Sequence, residues 1–279
     1  MRRSVFLRAL SISLCLALAA CGRGDDDAAG DGTGDGDSAG PDADTGGLPR
    51  FSLLIRGEPF HSLVVEVDSV PGMEPDARNP DDLAAVLDTL VDKPAGVDVV
   101  ADGTLDSRGA DHAWTFAELM ELADGSFDRP LDDDAIAVHT MFIDGHSADD
   151  SGDGVILGLA WGHTHIAIFE QTIQDMCAGS ALPPLLAERQ CRGAELAIWT
   201  HESGHLLGLV DNDLPMVNDH RDPDSSHGAH DADDACVMYW AYEGEALFDL
   251  IGDQLLGGGA AEVPFDQACL DDLAAERAR

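Results

Sequence analysis

The sequence of 279 residues predicts an α+β fold in which a mixed, twisted sheet is backed by helices. Two observations support this fold class. Valine-rich segments with alternating polarity, typical of strands, are interspersed with segments in which apolar residues recur every three or four positions, as in helices. The predicted order is strand, helix, strand, helix, two strands and then a long helix, as expected when helices cover a central sheet.

The first half of this order comprises two strands, each followed by a helix. Residues 61–70 alternate apolar and polar side chains and predict a strand, and residues 80–92 begin with proline and acidic residues and predict a helix. Residues 96–103 predict a short second strand. Residues 114–125 predict a short helix that ends at Gly125.

The second half consists of two strands and a longer helix. Residues 135–145 and 154–173 predict strands separated by a polar turn. Residues 192–208 predict a helix, and Gly208 at its end suits the left-handed conformation that terminates a helix. Because apolar residues flank the middle of this helix, we expect it to lie in the core rather than on a polar surface.

The N-terminus predicts export and lipid attachment. Residues 1–20 combine three arginines with an apolar run that is too short for a transmembrane helix, as in a signal peptide. Residues 18–21 resemble the lipobox of bacterial lipoproteins, in which cleavage precedes a cysteine that becomes lipid-modified. The resemblance implies a lipid on Cys21 and an anchor in the bacterial cell envelope, at the periplasmic or outer face of the outer membrane. Ordinary secretion with cleavage nearby is the alternative.

A spacer and one folded domain follow the signal peptide. Residues 22–47 contain nine glycines and eight aspartates and no apolar residue larger than alanine, so after Cys21 we expect a disordered spacer. Residues 48–279 form the predicted domain, with an N-terminal lobe over 48–208 and a C-terminal lobe over 209–279. The net charge of −39 argues against nucleic acid as a partner.

Four cysteines lie in this domain. In an oxidising compartment they predict two disulfides, for which three connectivities are possible. We favour Cys177–Cys191 and Cys236–Cys269, because each pair closes a loop next to the candidate site.

The candidate site begins with the pentapeptide His-Glu-Ser-Gly-His at residues 201–205. His201 and His205 lie one helical turn apart and can bind one Zn²⁺ through two imidazoles. Glu202 can take the proton of a zinc-activated water that attacks a carbonyl, chemistry that suits hydrolysis of an amide. Such a pentapeptide also occurs by chance on solvated helices, but the apolar flanks argue against that interpretation here.

Gly208 extends the motif to His-Glu-x-x-His-x-x-Gly, and Met238 follows in the apolar stretch 236–240. Together these residues resemble the metzincin clan of zinc metallopeptidases. In that clan the glycine lets the chain turn sharply after the helix, and a methionine in a tight turn lies beneath the metal. The resemblance implies a zincin-like fold with an active-site helix and a smaller, irregular C-terminal lobe.

Two alignments offer different residues as the third zinc ligand. Snapalysin-like peptidases have an aspartate three residues after the glycine, where this chain has Asp211. Archaemetzincins have a histidine followed by a Cys-x-Met segment at a spacing that His230 and Met238 match, with Asp231 in place of the family's cysteine. We favour His230, since neutral imidazole is the commonest zinc ligand. The alternatives are Asp211 and then His220 or His227.

A gluzincin arrangement is a further alternative, with Glu243 or Glu245 as the third ligand on a later helix. It would leave Gly208 and Met238 without roles, so we rank it last.

Other polar residues near the motif have less specific signals. The loop before His230 contains two histidines and two aspartates that could bind a second metal ion. We prefer the interpretation that they form a solvated acidic loop. These residues are His220, Asp222, Asp224 and His227. His163 and His165 are interpreted as ordinary strand side chains. Tyr239 and Tyr242 could stabilise an oxyanion, but neither stands where some metzincins place such a tyrosine.

The sequence thus predicts a zinc-dependent endopeptidase that acts on peptide or protein substrates, with Glu202 as general base. The metzincin resemblance further implies that the edge strand before the motif helix, residues 158–169, binds substrate antiparallel to itself. The alternative is a metal-binding or adhesive surface lipoprotein without turnover. Glu202 favours the enzyme, because a binding module needs no carboxylate beside the metal.

Overall fold

The computed structural model describes residues 47–129, 134–151 and 154–279. The predictions on the signal peptide, on Cys21 and on the spacer up to residue 46 lie outside these residues. Among the described helices, none combines the length and the apolar composition that a membrane crossing requires.

Seven strands are present in the described residues. They are β1 (Ser62–Ser69), β2 (Gly96–Thr104), β3 (Ala113–Trp114), β4 (Ala135–Ile143), β5 (His146–Ser147), β6 (Gly158–Trp161) and β7 (His165–Phe169). The main sheet has the order β2-β1-β4-β7-β6, and β3 pairs with β5 in a small separate sheet. The first four strands of the main sheet are parallel, whereas β6 is an edge strand antiparallel to β7.

Seven α-helices accompany the strands in the described residues. They are α1 (Arg50–Ile55), α2 (Asn79–Leu90), α3 (Phe116–Ser126), α4 (Glu170–Ala178), α5 (Pro184–Leu206), α6 (Glu245–Leu256) and α7 (Gln267–Arg277). Short 3₁₀ turns occupy Ser225–His227 and Trp240–Glu243. The predicted fold class, a mixed twisted sheet backed by helices, is confirmed.

The two faces of the main sheet bury different cores. On one face, Val65 of β1 and Val138 of β4 belong to the larger core, which also contains Leu83 of α2 and Trp199 of α5. On the other face, residues of β4 and β7 pack with Leu119 of α3 in a smaller core. Alternate residues of a strand point to opposite faces of the sheet. A sheet that is covered on both faces therefore has apolar residues at successive positions along its strands. The motif helix α5 is therefore fixed on the larger core.

Local signals explain where the helices start. Thr115 caps α3: its hydroxyl accepts from the backbone N–H of Glu118, and the Glu118 carboxylate accepts from the N–H of Thr115. This reciprocal capping satisfies two N–H groups that the first helical turn leaves unpaired. A proline lies in the first turn of both α2 and α5, where its missing N–H costs nothing.

One predicted strand is wrong in its extent. Residues 154–173 do not form a continuous strand, because the chain reverses between Trp161 and His165 and returns as β7. Gly162 and His163 have positive φ angles, which the tight turn requires, so His163 lies in a turn rather than on a strand. Residues after Phe169 begin helix α4. The edge strand predicted over 158–169 is consequently β6 alone.

The cysteine pairing is correct for one pair. Cys177 and Cys191 form a disulfide that links α4 to α5. Cys236 and Cys269 are buried and unbonded, with their Sγ atoms 3.8 Å apart. The Sγ atom of Cys236 instead accepts from the N–H groups of Met238 and Asp266. The predicted second disulfide is therefore not formed, because the two Sγ atoms lie well beyond the length of an S–S bond. The predicted boundary between two lobes at residue 208 stays a prediction.

Candidate metal centre

Helix α5 places two imidazoles on one side of its last two turns. The Nε2 atoms of His201 and His205 are 3.2 Å apart, as the spacing of four residues dictates. The Nδ1 atom of His201 is 2.7 Å from the carbonyl oxygen of Val237. This carbonyl accepts the Nδ1 proton, so Nε2 of His201 is left as an unprotonated ligand atom.

A third imidazole reaches the same point from the loop after α5. The Nε2 atom of His230 is 3.1 Å from Nε2 of His201 and 3.2 Å from Nε2 of His205. Nδ1 of His230 donates to the backbone carbonyl of His227. His230 is buried, and its carbonyl partner orients the ring so that Nε2 faces the two helix histidines.

The three nitrogens fit a zinc ion. In a tetrahedral site with Zn–N distances of about 2.0–2.1 Å, ligand nitrogens lie about 3.3 Å apart, close to the 3.1–3.2 Å observed. Nδ1 of His201 and of His230 each donates to a backbone carbonyl, so the Nε2 atoms of these two rings carry no proton in the neutral form and cannot donate to each other. Three neutral imidazoles around a common point are the donor set that catalytic zinc prefers.

Glu243, the third ligand of the gluzincin alternative, also reaches this centre. Its Oε1 atom is 3.1 Å from Nε2 of His230 and 3.8 Å from Nε2 of His201. The four side chains His201, His205, His230 and Glu243 offer ligand atoms that all lie within 4.8 Å of one another. The sequence offers Glu243 only as a replacement for a histidine, whereas the structure adds it to three histidines.

The electrostatics of the centre follow from burial. Burial raises the pKa of the Glu243 carboxyl, but its interactions with His201 and His230 outweigh this effect and lower the pKa overall. Burial also lowers the pKa of His205 well below its ordinary value, and the neighbouring imidazoles lower it further. A neutral His205 is the form that binds a metal.

Glu202 lies beside the histidines with one carboxylate oxygen unsatisfied. The residue is 1% exposed, and its Oε1 atom has no hydrogen-bond partner. Burial, and secondarily the charge of Glu243, raises the pKa of Glu202 well above its ordinary value. Strand β6 touches it, because a Cβ atom added to Gly158 would lie 2.8 Å from Cγ of Glu202.

Gly208 turns the chain after α5. Its φ angle is +78°, a conformation that a side chain disfavours, and a Cβ there would lie 2.7 Å from the carbonyl oxygen of Asn212. The N–H of Leu209 donates to the carbonyl of Gly204, and the N–H of Leu214 donates to the carbonyl of Gly208. The predicted role of Gly208 as a helix-ending turn agrees with this geometry.

Met238 lies in a turn beneath the motif helix. The N–H of Tyr239 donates to the carbonyl of Cys236 at 3.1 Å, which closes the turn. Met238 is fully buried, and a Cβ atom at Gly204 would overlap its Sδ atom. Gly204 therefore lets the turn approach α5 between His201 and His205.

Of the alternative third ligands, Asp211, His220 and His227 lie away from the centre. The exposed carboxylate of Asp211 pairs with Nη1 of Arg221 at 3.2 Å. The ring of His227 stacks on Trp240 with centroids 3.9 Å apart, and its Nδ1 is 3.2 Å from Asp222.

His220 lies in a different environment. Its Nδ1 is 2.6 Å from Oδ2 of Asp231, and its Nε2 is 3.0 Å from Oδ2 of Asp272. The residues considered for a second metal are dispersed, since Asp224 accepts from the N–H of Ser226 while His220 faces Asp231.

The remaining residues singled out in the sequence lie as follows. His163 contacts the carbonyl of Leu206 and the carboxylate of Asp213, so it ties the β6–β7 turn to the end of α5. His165 faces His139 across the sheet, with Nδ1 atoms 3.4 Å apart. Tyr242 donates to the carbonyl of Asp234. Glu245 opens helix α6.

The sequence matches no family model. It also matches no curated protein. Among solved structures, the chain is similar to the crystal structure of archaemetzincin from Methanopyrus kandleri, with 14% identity, a TM-score of 0.46, and coverage of 78% of this chain and 97% of that one.

Proposed function

We propose that the protein is a zinc-dependent endopeptidase. The observation that carries the proposal is the convergence of three Nε2 atoms, from His201, His205 and His230, at mutual distances of 3.1–3.2 Å. The unsatisfied carboxylate of Glu202 lies in the next position of the same helix. This combination of three imidazole ligands and one adjacent base is what metal-assisted amide hydrolysis requires.

Each residue has a distinct role in the proposed reaction. His201, His205 and His230 hold Zn²⁺, which supplies Lewis acidity toward a water molecule and a substrate carbonyl. Glu202 accepts the proton of the attacking water and donates it to the leaving amine. The burial that raises the pKa of Glu202 suits this role, because the carboxyl must hold a proton between the two steps.

Strand β6 provides a surface for an extended peptide. It is the edge of the main sheet, so the backbone groups on its free side can pair with a substrate strand. Gly158 touches Glu202, so a peptide along β6 would pass beside the base. We therefore propose that the substrate is a peptide or protein segment in extended conformation.

The test combines metal analysis with peptide cleavage. We expect one zinc per chain, cleavage that stops after chelation and returns with added zinc, and a Glu202→Gln variant that retains zinc. Removing a general base lowers the rate by about 10²–10⁴-fold. The exposed Glu121→Gln change on α3 is the control and should leave the rate unchanged. Cleavage by Glu202→Gln at the parent rate would exclude Glu202 as the base.

Glu243 supports a second candidate function, a metal-binding protein without turnover. Its Oε1 atom is 3.1 Å from Nε2 of His230, and a fourth protein ligand would close the position that catalysis needs. In that case Glu243→Gln lowers zinc affinity and the parent cleaves no peptide. If the protein is a peptidase, Glu243→Gln should retain zinc and change only the rate of peptide cleavage.

We further propose that the protein is anchored in the bacterial envelope through a lipid on Cys21. The support is the lipobox-like sequence at residues 18–21. A Cys21→Ser variant should no longer partition into detergent with the membrane fraction. Unchanged partitioning would contradict the lipid anchor.

A further inference from the structure

Helix α3 crosses one face of the main sheet and begins next to the sheet's free edge. At its C-terminal end, the ring of Phe127 stacks on His139 of β4, in the middle of the sheet, with centroids 5.3 Å apart. Its first residue, Phe116, instead contacts the ring of Trp161 on the edge strand β6, with centroids 5.6 Å apart. The first turn of α3 therefore lies beside the edge that is assigned above to the substrate.

The two faces of β6 border different parts of the molecule. Gly158 faces the candidate centre, since a Cβ atom there would lie 2.8 Å from Cγ of Glu202, and Ala160 packs against the same, larger core. Leu159 and Trp161 pack against the smaller core, on the face that α3 covers. A peptide strand paired with β6 alternates in the same way, so every second one of its side chains points to the α3 side.

An apolar surface is open to solvent on this α3 side of the edge. Phe116 is 44% exposed, and Met120, one turn later on the same side of α3, is 41% exposed. Leu159 and Trp161 of β6 are only partly buried. We refer to these four residues as the α3 shelf. Adjoining exposed apolar side chains indicate a binding surface more strongly than single ones do.

Trp161 is held in place from two sides. Its ring stacks on His165 of β7, with centroids 5.4 Å apart and an interplanar angle of 29°. Phe116 meets the same ring almost at a right angle, at 83°. Aromatic rings attract each other in both arrangements. The α3 shelf is therefore ordered before a ligand arrives, which reduces the entropy lost on binding.

We propose that the α3 shelf binds a large apolar side chain of the peptide and so determines which substrates are cleaved. The inference rests on the proposed peptidase function. Residues opposite each other on paired strands have Cβ atoms about 4.5–5.5 Å apart, so a peptide residue opposite Leu159 or Trp161 contacts the shelf. A large aliphatic or aromatic side chain there covers the exposed rings and gains from leaving water. A small polar side chain has no such gain.

The spacing along β6 places the selected side chain relative to the candidate centre. Gly158 adjoins Glu202, and Trp161 ends the same strand, about 10 Å further along at about 3.3 Å per residue. The selected side chain therefore belongs to a residue about one to three positions from the one paired with Gly158. The shelf residues are specificity residues and take no part in breaking the peptide bond.

The test measures the binding of extended peptides to the zinc-loaded Glu202→Gln protein, in which the base is removed and the peptide stays intact. One series of peptides carries Leu at one position at a time, and the matched series carries Ser there. We expect a position at which the Leu peptide binds at least about tenfold more tightly than the Ser peptide. With the parent protein, the same preference should appear in KM, with little change in kcat.

Changes at Phe116 show whether the shelf causes this preference. Phe116→Ala should reduce the preference for Leu over Ser at that position by at least about fivefold, while the Ser peptide binds as it does without this change. Phe116→Leu keeps a large apolar side chain and should retain most of the preference. Leu185→Ala is the matched control, because Leu185 is an exposed apolar residue near the start of α5, and it should leave the preference unchanged.

The outcomes separate this inference from the proposed peptidase function. The inference is overturned if no position prefers Leu over Ser in binding. It is also overturned if Phe116→Ala weakens the Leu and Ser peptides by the same factor, which would mean that Phe116 only supports the fold. If the preference is present in binding and depends on Phe116, but the parent cleaves none of the peptides, the shelf remains a peptide-binding surface and the peptidase function fails.

Discussion

His220 and His230 belong to the same loop, yet their ring nitrogens have different partners. Both nitrogens of His220 face carboxylates, Asp231 at 2.6 Å and Asp272 at 3.0 Å. His230 uses Nδ1 on the backbone carbonyl of His227 and directs Nε2 toward two other imidazoles and toward Oε1 of Glu243, 3.1 Å away. Burial alone does not separate the two, since both side chains are largely covered.

The two histidines differ in whether a ring nitrogen remains available to bind a metal ion. A histidine between two carboxylates gains by carrying a proton on each nitrogen, so it acts as a cation within the fold. A histidine fixed by a neutral carbonyl keeps its other nitrogen as an acceptor and can bind a metal. The loop therefore contains one histidine suited to holding the structure together and one suited to the metal centre.

The largest expected effect is on zinc binding, and it tests whether His230 is a metal ligand. His230→Ala removes one of three nitrogen ligands, so zinc affinity should fall by more than about 100-fold, beyond the loss typical of outer-shell partners. Asp211→Asn should leave affinity unchanged, because its pair with Arg221 is exposed and worth at most about 1 kcal/mol. Competition with a chromophoric chelator at fixed pH measures both.

The outcome that breaks the comparison is a reversal of these two variants. An Asp211→Asn protein that loses zinc beside a His230→Ala protein that keeps it would make Asp211 the third ligand. His220→Gln is the matched control within the loop, and it should bind zinc far better than His230→Ala.

The second effect concerns the pH dependence of stability and tests the His220 side. Burial lowers the pKa of His220, but Asp231 and Asp272 outweigh it and raise the pKa to about 9. Because the folded value exceeds the unfolded value, the stabilisation is complete below about pH 6.5 and is lost as pH rises through about 9. Its size is at most about 3 kcal/mol.

The measurement is the free energy of unfolding at several pH values with zinc saturating. The parent should lose stability between about pH 6.5 and about pH 9.5 relative to His220→Gln, so the difference between the two proteins isolates the histidine from the pH dependence of zinc binding. Parallel pH profiles would show that His220 is not charged in the folded protein.

Much of the centre could be predicted from sequence because its parts are local. His201, Glu202 and His205 follow from the geometry of one helix, and Gly208 from the way helices end. The spacing from Met238 favours His230, and the structure brings its Nε2 to the two helix histidines. These features depend on short separations along the chain.

The features that escaped prediction depend on long-range contacts. Asp272 reaches His220 from α7, and Glu243 reaches the centre from the turn before α6. Nothing in the local sequence around Asp272 indicates its partner, and Glu243 is considered only as a substitute for the third histidine. The β6–β7 turn escaped because the polar interruption at residues 162–165 is short, and the apolar segments on either side of it are interpreted as one continuous strand.

The third effect concerns the Met238 turn, which packs against helix α5 at Gly204. Gly204→Ala places a Cβ against Sδ of Met238, and such overpacking costs about 1–3 kcal/mol of stability. Gly125→Ala is the matched control, because Gly125 lies in helix α3 and a Cβ atom there would have nothing within 4 Å. It should stabilise by about 0.5–1 kcal/mol. Chemical denaturation measures both, and equal effects would remove the steric role of Gly204.

The smallest effect concerns His227, whose backbone and side chain have separate roles. Its carbonyl accepts from Nδ1 of His230, while its ring stacks on Trp240 at 3.9 Å. His227→Ala keeps the carbonyl and loses the stack, so stability should fall by about 0.5–1.5 kcal/mol and zinc affinity should remain that of the parent. Denaturation and chelator competition on the same preparation separate the two quantities. A loss of zinc in His227→Ala would mean that the stacked ring, and not the carbonyl alone, keeps His230 directed at the centre. His227 would then be a third loop histidine whose side chain affects zinc binding.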